Sequence, residues 1–213
     1  MSTDQRKADD DRSDPGMTAA SRQFPAVEPD AAIIGRSIRD PECFAAVFDR
    51  HFTAIHGYVA RRLGQGLADD VASETFLIAF AKRDQYDQGR EDCRPWLFGI
   101  ASNLVARHHR AEQRRYRAMA RTGVDEVSEG HADEVVVRVD ATARQGVLAS
   151  ALSEIPAKDR DVLLLVAWAE LTSEQAGQAL GIPAGTARSR LHRARQRIQA
   201  ALGHHDHERT TGS

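Results

Sequence analysis

Leu171-Thr172-Ser173-Glu174-Gln175-Ala176-Gly177-Gln178-Ala179-Leu180-Gly181-Ile182-Pro183-Ala184-Gly185-Thr186-Ala187-Arg188-Ser189-Arg190 reads as two helices around a sharp turn. Thr172 and Gln175 form a T-x-x-Q capping box that starts the first helix. Gly181 is placed to end it, and Pro183 prevents it from continuing. A second helix opens near Thr186. Two helices joined by a short glycine-containing turn make a helix-turn-helix.

The second helix has two faces. Ala187, Leu191, Ala194 and Ile198 recur at helical spacing and face inward. Thr186, Arg188, Ser189, Arg190, His192 and Arg193 are left outside near the N-terminal end, which helix-turn-helix units place in the major groove. The planar fork of arginine pairs with guanine O6 and N7, and other arginines contact phosphates. Residues 186–197 carry five arginines and no acid, whereas a merely solvated face mixes both signs. The segment is therefore read as DNA-binding, with Arg195 and Arg197 on phosphate or solvent.

Upstream of this unit lies a second helical block. Asp40-Pro41 resembles an N-cap followed by proline at the first helical position. Phe44, Phe48, Phe52, Ile55 and Val59 then recur at helical spacing up to Leu63-Gly64. A second helix is expected over 67–82, with Ala72, Phe76, Ala79 and Phe80 inward and Asp70 and Glu74 on another face. After a polar loop a third begins near Arg94-Pro95-Trp96 and runs to Arg117 or beyond. Leu97, Ile100, Ala101 and Leu104 form its inner face. Asn103, Arg107, Arg110 and Arg114 form a separate stripe. Trp96 is read as core rather than as a stacking platform.

The ends and the middle differ in character. Residues 1–30 carry seven acids against four bases without periodicity, and an arm over 1–32 is expected to be disordered. Between 119 and 140, Gly123, Gly130 and the acids Asp125, Glu126, Glu129, Asp133, Glu134 and Asp140 predict a flexible, negative linker. Val135-Val136-Val137 is the only β-like scrap. Residues 204–213 read as a disordered tail. The domains are thus 33–118 and 141–203, and the fold class is all-α, two small helical domains.

Bulk composition agrees. The chain has 213 residues, 41% hydrophobic and 28% charged, with a formal net charge of −2 that hides the segregation of acids and arginines. The polar N-terminus is no signal peptide, and Val162–Ala169 is too short to span a bilayer, so no membrane insertion and a cytoplasmic location are expected. Cys43 and Cys93 have no CxxC or Cys/His neighbour and read as buried or half-buried thiols.

At this point the motifs resemble a family. Gly185 to Arg195 looks like the −35-reading helix of extracytoplasmic-function sigma factors, and residues 151–165 resemble the start of the same domain. Phe44-Ala45-Ala46-Val47-Phe48 through Arg61-Arg62-Leu63-Gly64 is similar to the first helix of the sigma-2 domain. Asp69-Asp70-Val71-Ala72-Ser73-Glu74-Thr75-Phe76 resembles its polymerase-binding helix, and Pro95-Trp96-Leu97-Phe98-Gly99-Ile100-Ala101-Ser102-Asn103 its −10-reading segment.

The resemblance implies that Asp69, Asp70 and Glu74 bind core RNA polymerase. It implies that Asn103 helps hold a flipped −10 base, a task suited to an amide with donors and an acceptor. Arg107, Arg110, Arg114 and Arg115 would track the DNA backbone. Promoter DNA, core polymerase and an anti-sigma factor are the implied partners, with no small-molecule substrate, cofactor or metal. Two departures stand out. Arg107 replaces an acid common in the family, and Ala187 replaces a common valine. A linker of roughly 20–25 residues extends about 65–90 Å, enough to join two promoter elements more than one turn apart. Its acids suit a path in the polymerase that normally takes RNA.

Two other readings are set against this one. A helix-turn-helix regulator working without polymerase has no need of the Asp69–Phe76 and Pro95–Asn103 motifs. A metal-dependent enzyme is suggested by nine histidines, but His51 and His56, His108 and His109, and the tail His204, His205 and His207 make no HExxH or three-ligand pattern.

Overall fold

The computed structural model describes residues 28–122 and 146–211, all-helical with no strand among them. The linker expected between the domains, the Val135–Val137 scrap and most of the N-terminal arm lie outside these residues. No helix among the described residues is long and apolar enough to cross a membrane.

The N-terminal unit begins earlier than expected. Helix α1 is Asp30–Ser37, and Asp30 is buried rather than part of an acidic arm. The reason is tertiary: His51 Nε2–H donates to Asp30 Oδ2 at 2.9 Å, the Cys93 N–H donates to the same oxygen at 3.2 Å, and Arg50 pairs with Oδ1. A 3-10 turn, Pro41–Phe44, leads into α2, Ala45–Leu63. Asp40 precedes Pro41 as expected but makes no side-chain cap. Helix α2 ends at Gly64, whose φ of +93° only glycine takes without strain. Helix α3 is Gln65–Ala81.

The expected long third helix is broken in two. Helix α4, Arg94–Arg107, stops at His108 (φ −94°, ψ 18°), and α5, His109–Thr122, restarts at once. The expected phenylalanine stripe is also only half right. Phe44, Ile55 and Val59 are buried, but Phe48 is 38% exposed and Phe52 half-buried. Residues four apart drift by about 40° per step, so a run of i+4 phenylalanines leaves the core face. The positions that face inward are Val47, His51, Ile55, Tyr58, Val59 and Arg62. Trp96 is half-buried and packs on Tyr86, ring centroids 5.0 Å apart.

In the C-terminal unit, helical residues 146–154 (α6) precede α7, Ala157–Trp168, α8, Ser173–Ala179, and α9, Ala184–Thr211. Helix α9 continues through residues 204–211, where a disordered tail was expected. Glu170, with φ +54°, turns the chain between α7 and α8.

The two units are not independent bodies. Their buried apolar residues form one continuous cluster from Ala31 to Ala194. Helix α8 lies on α4. Where α7 meets α2 and α5, four charged side chains close the joint. Arg62 donates to Glu112 Oε1 from Nε, to Tyr58 Oη at 2.7 Å from Nη1 and to Asp161 Oδ1 at 2.7 Å from Nη2. Arg160 Nη2 donates to Glu112 Oε2 at 3.0 Å. Burial alone would lower the pKa of Arg62, but Tyr58, Glu112 and Asp161 more than reverse it and hold it well above its ordinary value.

Candidate nucleic-acid interface

The capping box expected at the C-terminal unit is complete. The Gln175 N–H donates to Thr172 Oγ1 at 3.1 Å, and the Thr172 N–H donates to Gln175 Oε1 at 2.9 Å. Gly181 takes φ +63° at the turn. The Ile182 N–H donates back to Gly177 O at 2.9 Å, and a Cβ on Gly177 would lie 3.0 Å from Ile182 O. Glycine at 177 thus lets the turn fold tightly against α8. Ala187, Leu191 and Ala194 are buried against the unit's core, with Ile198 partly so. The helix starts at Ala184, two residues before the expected Thr186.

Packing of that inner face leaves Arg188, Ser189, His192 and Arg193 exposed and Thr186 and Arg190 half-buried. Ser189 Oγ–H donates to Thr186 O at 3.0 Å, which fixes it along the helix. Arg193 is bound within the protein. Its Nε and Nη2 donate to the two oxygens of Asp159, at 3.2 and 3.0 Å, and these bonds raise its pKa.

On the N-terminal unit, Asn103 and Arg107 are exposed on α4 and Arg110 and Arg114 on α5. The break at His108 removes the straight-helix stripe. Even so, Arg107, His108, Arg110 and Arg114 line one shallow depression, so the arginines still share a surface. Arg115 departs from them. It is half-buried, its Nη1 is 3.2 Å from where a Gly64 Cβ would lie, and its buried Nε has no hydrogen-bond partner. It faces the α2–α3 corner rather than the depression, because one residue rotates the side chain by about 100°.

The acidic set on α3 is split in a similar way. Asp69 and Asp70 are exposed, and His56 Nε2–H donates to Asp69 Oδ1 at 3.0 Å. Glu74 is half-buried and accepts a bond from Arg107 Nη1 at 3.2 Å, linking the acidic face to the arginine face. Sequence reasoning missed an apolar strip beside these acids. Phe48 stacks on Phe52 at 4.8 Å and meets Phe76 at 5.0 Å, and Leu77 is 69% exposed. The signal was the i+4 drift of the phenylalanines, read as core.

Both cysteines are free, Cys43 half-buried and Cys93 buried. Burial pushes the Cys93 thiol far above its usual range. Asp30, His51 and Cys93 come together with ligand-type atoms within 4.8 Å of one another, a grouping invisible in their spacing along the chain. Each oxygen of Asp30 is already paired and the Arg50 guanidinium supplies a positive charge, so the group acts as a buttress joining α1, α2 and the start of α4.

These two surfaces coincide with two family models. Residues 47–115 match Sigma-70 region 2, and residues 145–198 match Sigma-70, region 4. The ECF RNA polymerase sigma factor SigW of Bacillus subtilis is 30% identical over 175 residues, covering 76% of this chain and 90% of the relative. The ECF RNA polymerase sigma factor SigD of Mycobacterium tuberculosis is 32% identical over 190 residues, covering 87% and 86%. Among solved structures, CnrH in complex with the cytosolic domain of CnrY matches with a TM-score of 0.58 at 22% identity, over 82% of this chain and 97% of that one. The sigma factor RpoE in complex with the anti-sigma factor NepR from Bartonella quintana matches with a TM-score of 0.51 at 23% identity, over 75% and 96%. The chain belongs to the extracytoplasmic-function family of RNA polymerase sigma factors.

Proposed function

We propose that this protein directs core RNA polymerase to promoters for transcription initiation, as a non-catalytic subunit acting in the cytoplasm. The observation that carries the reading is the presence in one chain of two separate cationic surfaces: the exposed face of α9 and the Arg107–Arg110–Arg114 depression of α4 and α5, with Asn103 exposed one turn before Arg107 on α4. Thr186, Arg188, Ser189, Arg190 and His192 read the −35 element from the major groove, with Arg193 available once released from Asp159. Asn103 holds a −10 base, and Arg107, Arg110 and Arg114 contact the backbone. Asp69 and Asp70 dock on basic residues of the polymerase. The neighbouring Phe48 and Leu77 add the apolar contact that a stable interface core needs. Glu74 positions Arg107 as well as contributing charge.

Both solved relatives are bound to a second protein, in one case a named anti-sigma factor. An anti-sigma factor is accordingly the partner proposed to hold this chain before use. Run-off transcription with core polymerase over a promoter library tests the function. Discrete transcripts are expected, and their absence from every template overturns it. Co-purification with core polymerase separates this reading from a helix-turn-helix regulator acting alone.

A further inference from the structure

We propose that His108 is a fourth ligand for the DNA backbone on the −10 surface, and that its ring takes up a proton when DNA binds. The proposal rests on the reading of the Arg107–Arg110–Arg114 depression as a DNA contact.

The break between α4 and α5 is what brings the ring there. In an unbroken helix residue 108 would share a face with residues 112 and 115, about one and two turns further on. That face turns inward: Glu112 is 1% exposed, and Arg115 lies against Gly64. The structure instead places His108, half-buried, in the lining of the depression with Arg107, Arg110 and Arg114. Its backbone is fixed from both sides. The His108 N–H donates to Val105 O at 2.9 Å, and His108 O accepts from the N–H groups of Ala111 at 2.8 Å and Glu112 at 3.1 Å. The residue thus closes α4 and opens α5, and its short side chain is held at the depression by a constrained backbone.

Charge decides what the ring does there. Among the described residues, no acid lines the depression. Of the acids on neighbouring elements, Glu74 of α3 pairs with Arg107, and Glu112 of α5 faces Arg62 of α2 and Arg160 of α7. Arginine stays protonated throughout the physiological range. Imidazole is the side chain that changes charge between pH 5 and 8. Of the four cationic groups in the lining, His108 is therefore the one whose charge can follow pH. A phosphate arriving in the depression favours the charged ring. Binding of DNA and binding of the proton then strengthen each other equally, because coupling between two ligands is reciprocal. The complex holds more proton than the free chain, so affinity for DNA rises as pH falls from 8 to 6.

The test measures binding of the full-length chain to a labelled single-stranded oligonucleotide of random sequence, by fluorescence anisotropy from pH 8 to pH 6. Parent affinity is expected to rise by about threefold to tenfold over that range. Its slope of log K against log[salt] should be steeper at pH 6 than at pH 8 by up to about 0.7. His108→Gln keeps a polar side chain that cannot take a proton, and both changes should vanish. His108→Lys carries a permanent charge, so at pH 8 it should bind as tightly as the parent does at pH 6, again without pH dependence. His109→Gln and His192→Gln, which remove the neighbouring imidazole and the one on α9, should both keep the parent's pH response.

Circular dichroism checks that each variant retains its helix content. Calorimetry of the parent chain at pH 6.5, in two buffers of different ionisation enthalpy, counts the protons without any substitution. A fraction of a proton taken up per bound chain is expected, and zero uptake overturns the proposal. A pH response that survives His108→Gln, or that is lost in His109→Gln or His192→Gln instead, overturns it as well. If the response belongs to His108 while no template is transcribed with core polymerase, the ligand stands and the sigma-factor role fails. If transcripts form while parent and His108→Gln respond alike to pH, the role stands and the proposal fails.

Discussion

Arg193 donates two hydrogen bonds to the carboxylate of Asp159, 3.2 Å from Nε and 3.0 Å from Nη2, so a side chain on the exposed, arginine-rich face of α9 is tied to α7. The pair ties α9 to α7 and, on the proposed reading of α9 as the −35-reading helix, withholds one cation from DNA. Replacing Asp159 with asparagine removes the charge that holds Arg193 and a negative charge close to incoming phosphates. The expected result is tighter duplex binding at low salt and a slope of log K against log[salt] steeper by about one. Fluorescence anisotropy over a salt series reads this directly. An unchanged slope means that Arg193 never reaches the backbone.

The arginines of the N-terminal unit separate into two groups. Arg107, Arg110 and Arg114 line one depression, while Arg115 faces Gly64. Each of Arg107→Ala, Arg110→Ala and Arg114→Ala is expected to weaken binding of −10 DNA across sequences. Each should reduce the magnitude of the salt slope by about 0.7 on single-stranded template. Arg115→Ala should leave the slope as it was. A loss of slope for Arg115 equal to the others contradicts the placement.

Glu112 stands between two buried arginines, accepting from Arg62 on one oxygen and Arg160 on the other. Truncating it to alanine leaves both cations facing each other without a carboxylate between them. Removing one partner of a buried ion pair costs about 3–5 kcal/mol. Thermal unfolding followed by circular dichroism should show a markedly lower midpoint for Glu112→Ala. A shift of only a degree or two means the network is solvated in the free protein.

Asp30 makes stability pH-dependent on the acid side. Burial opposes its ionisation, but hydrogen bonds from His51 and the Cys93 N–H, with the charge of His51, hold its carboxyl well below the usual aspartate range. A carboxyl depressed in the folded state stabilises fully above its unfolded pKa and loses that contribution as pH falls toward the folded one. Stability should therefore decline from about pH 4 downward. In Asp30→Asn, denaturant unfolding should give lower stability at pH 7 and a shallower decline below pH 4. Parallel curves for the two proteins would count against the depressed pKa.

Leu77, 69% exposed, follows Phe76, which meets Phe48, and lies on α3 with Asp69 and Asp70. Leu77→Ser should leave thermal stability nearly unchanged, as exposed substitutions do. It should weaken assembly with core polymerase about fivefold or more if the leucine anchors that contact. Native-gel titration of core enzyme distinguishes this from an idle surface residue, which would leave assembly unaltered.

Much of this was readable in the sequence because it depends on neighbours along the chain. The capping box of Thr172 and Gln175, the positive-φ turn at Gly181 and the inward spacing of Ala187, Leu191 and Ala194 are short-range. Local stereochemistry and the helical period are enough to write them, and the structure reproduces each one. The all-helical class, the order of the main helices and the division into two units follow for the same reason, whereas the start of α1 at Asp30 and the break at His108 do not.

Contacts between distant residues were a different matter. Nothing in spacing shows that Asp30 is buried against His51 and Cys93, that Arg193 is claimed by Asp159, that Arg115 turns toward Gly64, or that Phe48 leaves the core. The sequence by itself determined an all-helical chain with arginine-rich faces in both of its units. Only the tertiary structure decided which cations are free, and that α4 and α8 touch where Gly99 has no side chain. Helical periodicity is a property of a few consecutive residues. The pairing of charges and the docking of one unit on another depend on which distant surfaces meet, and that is settled only when the whole core packs.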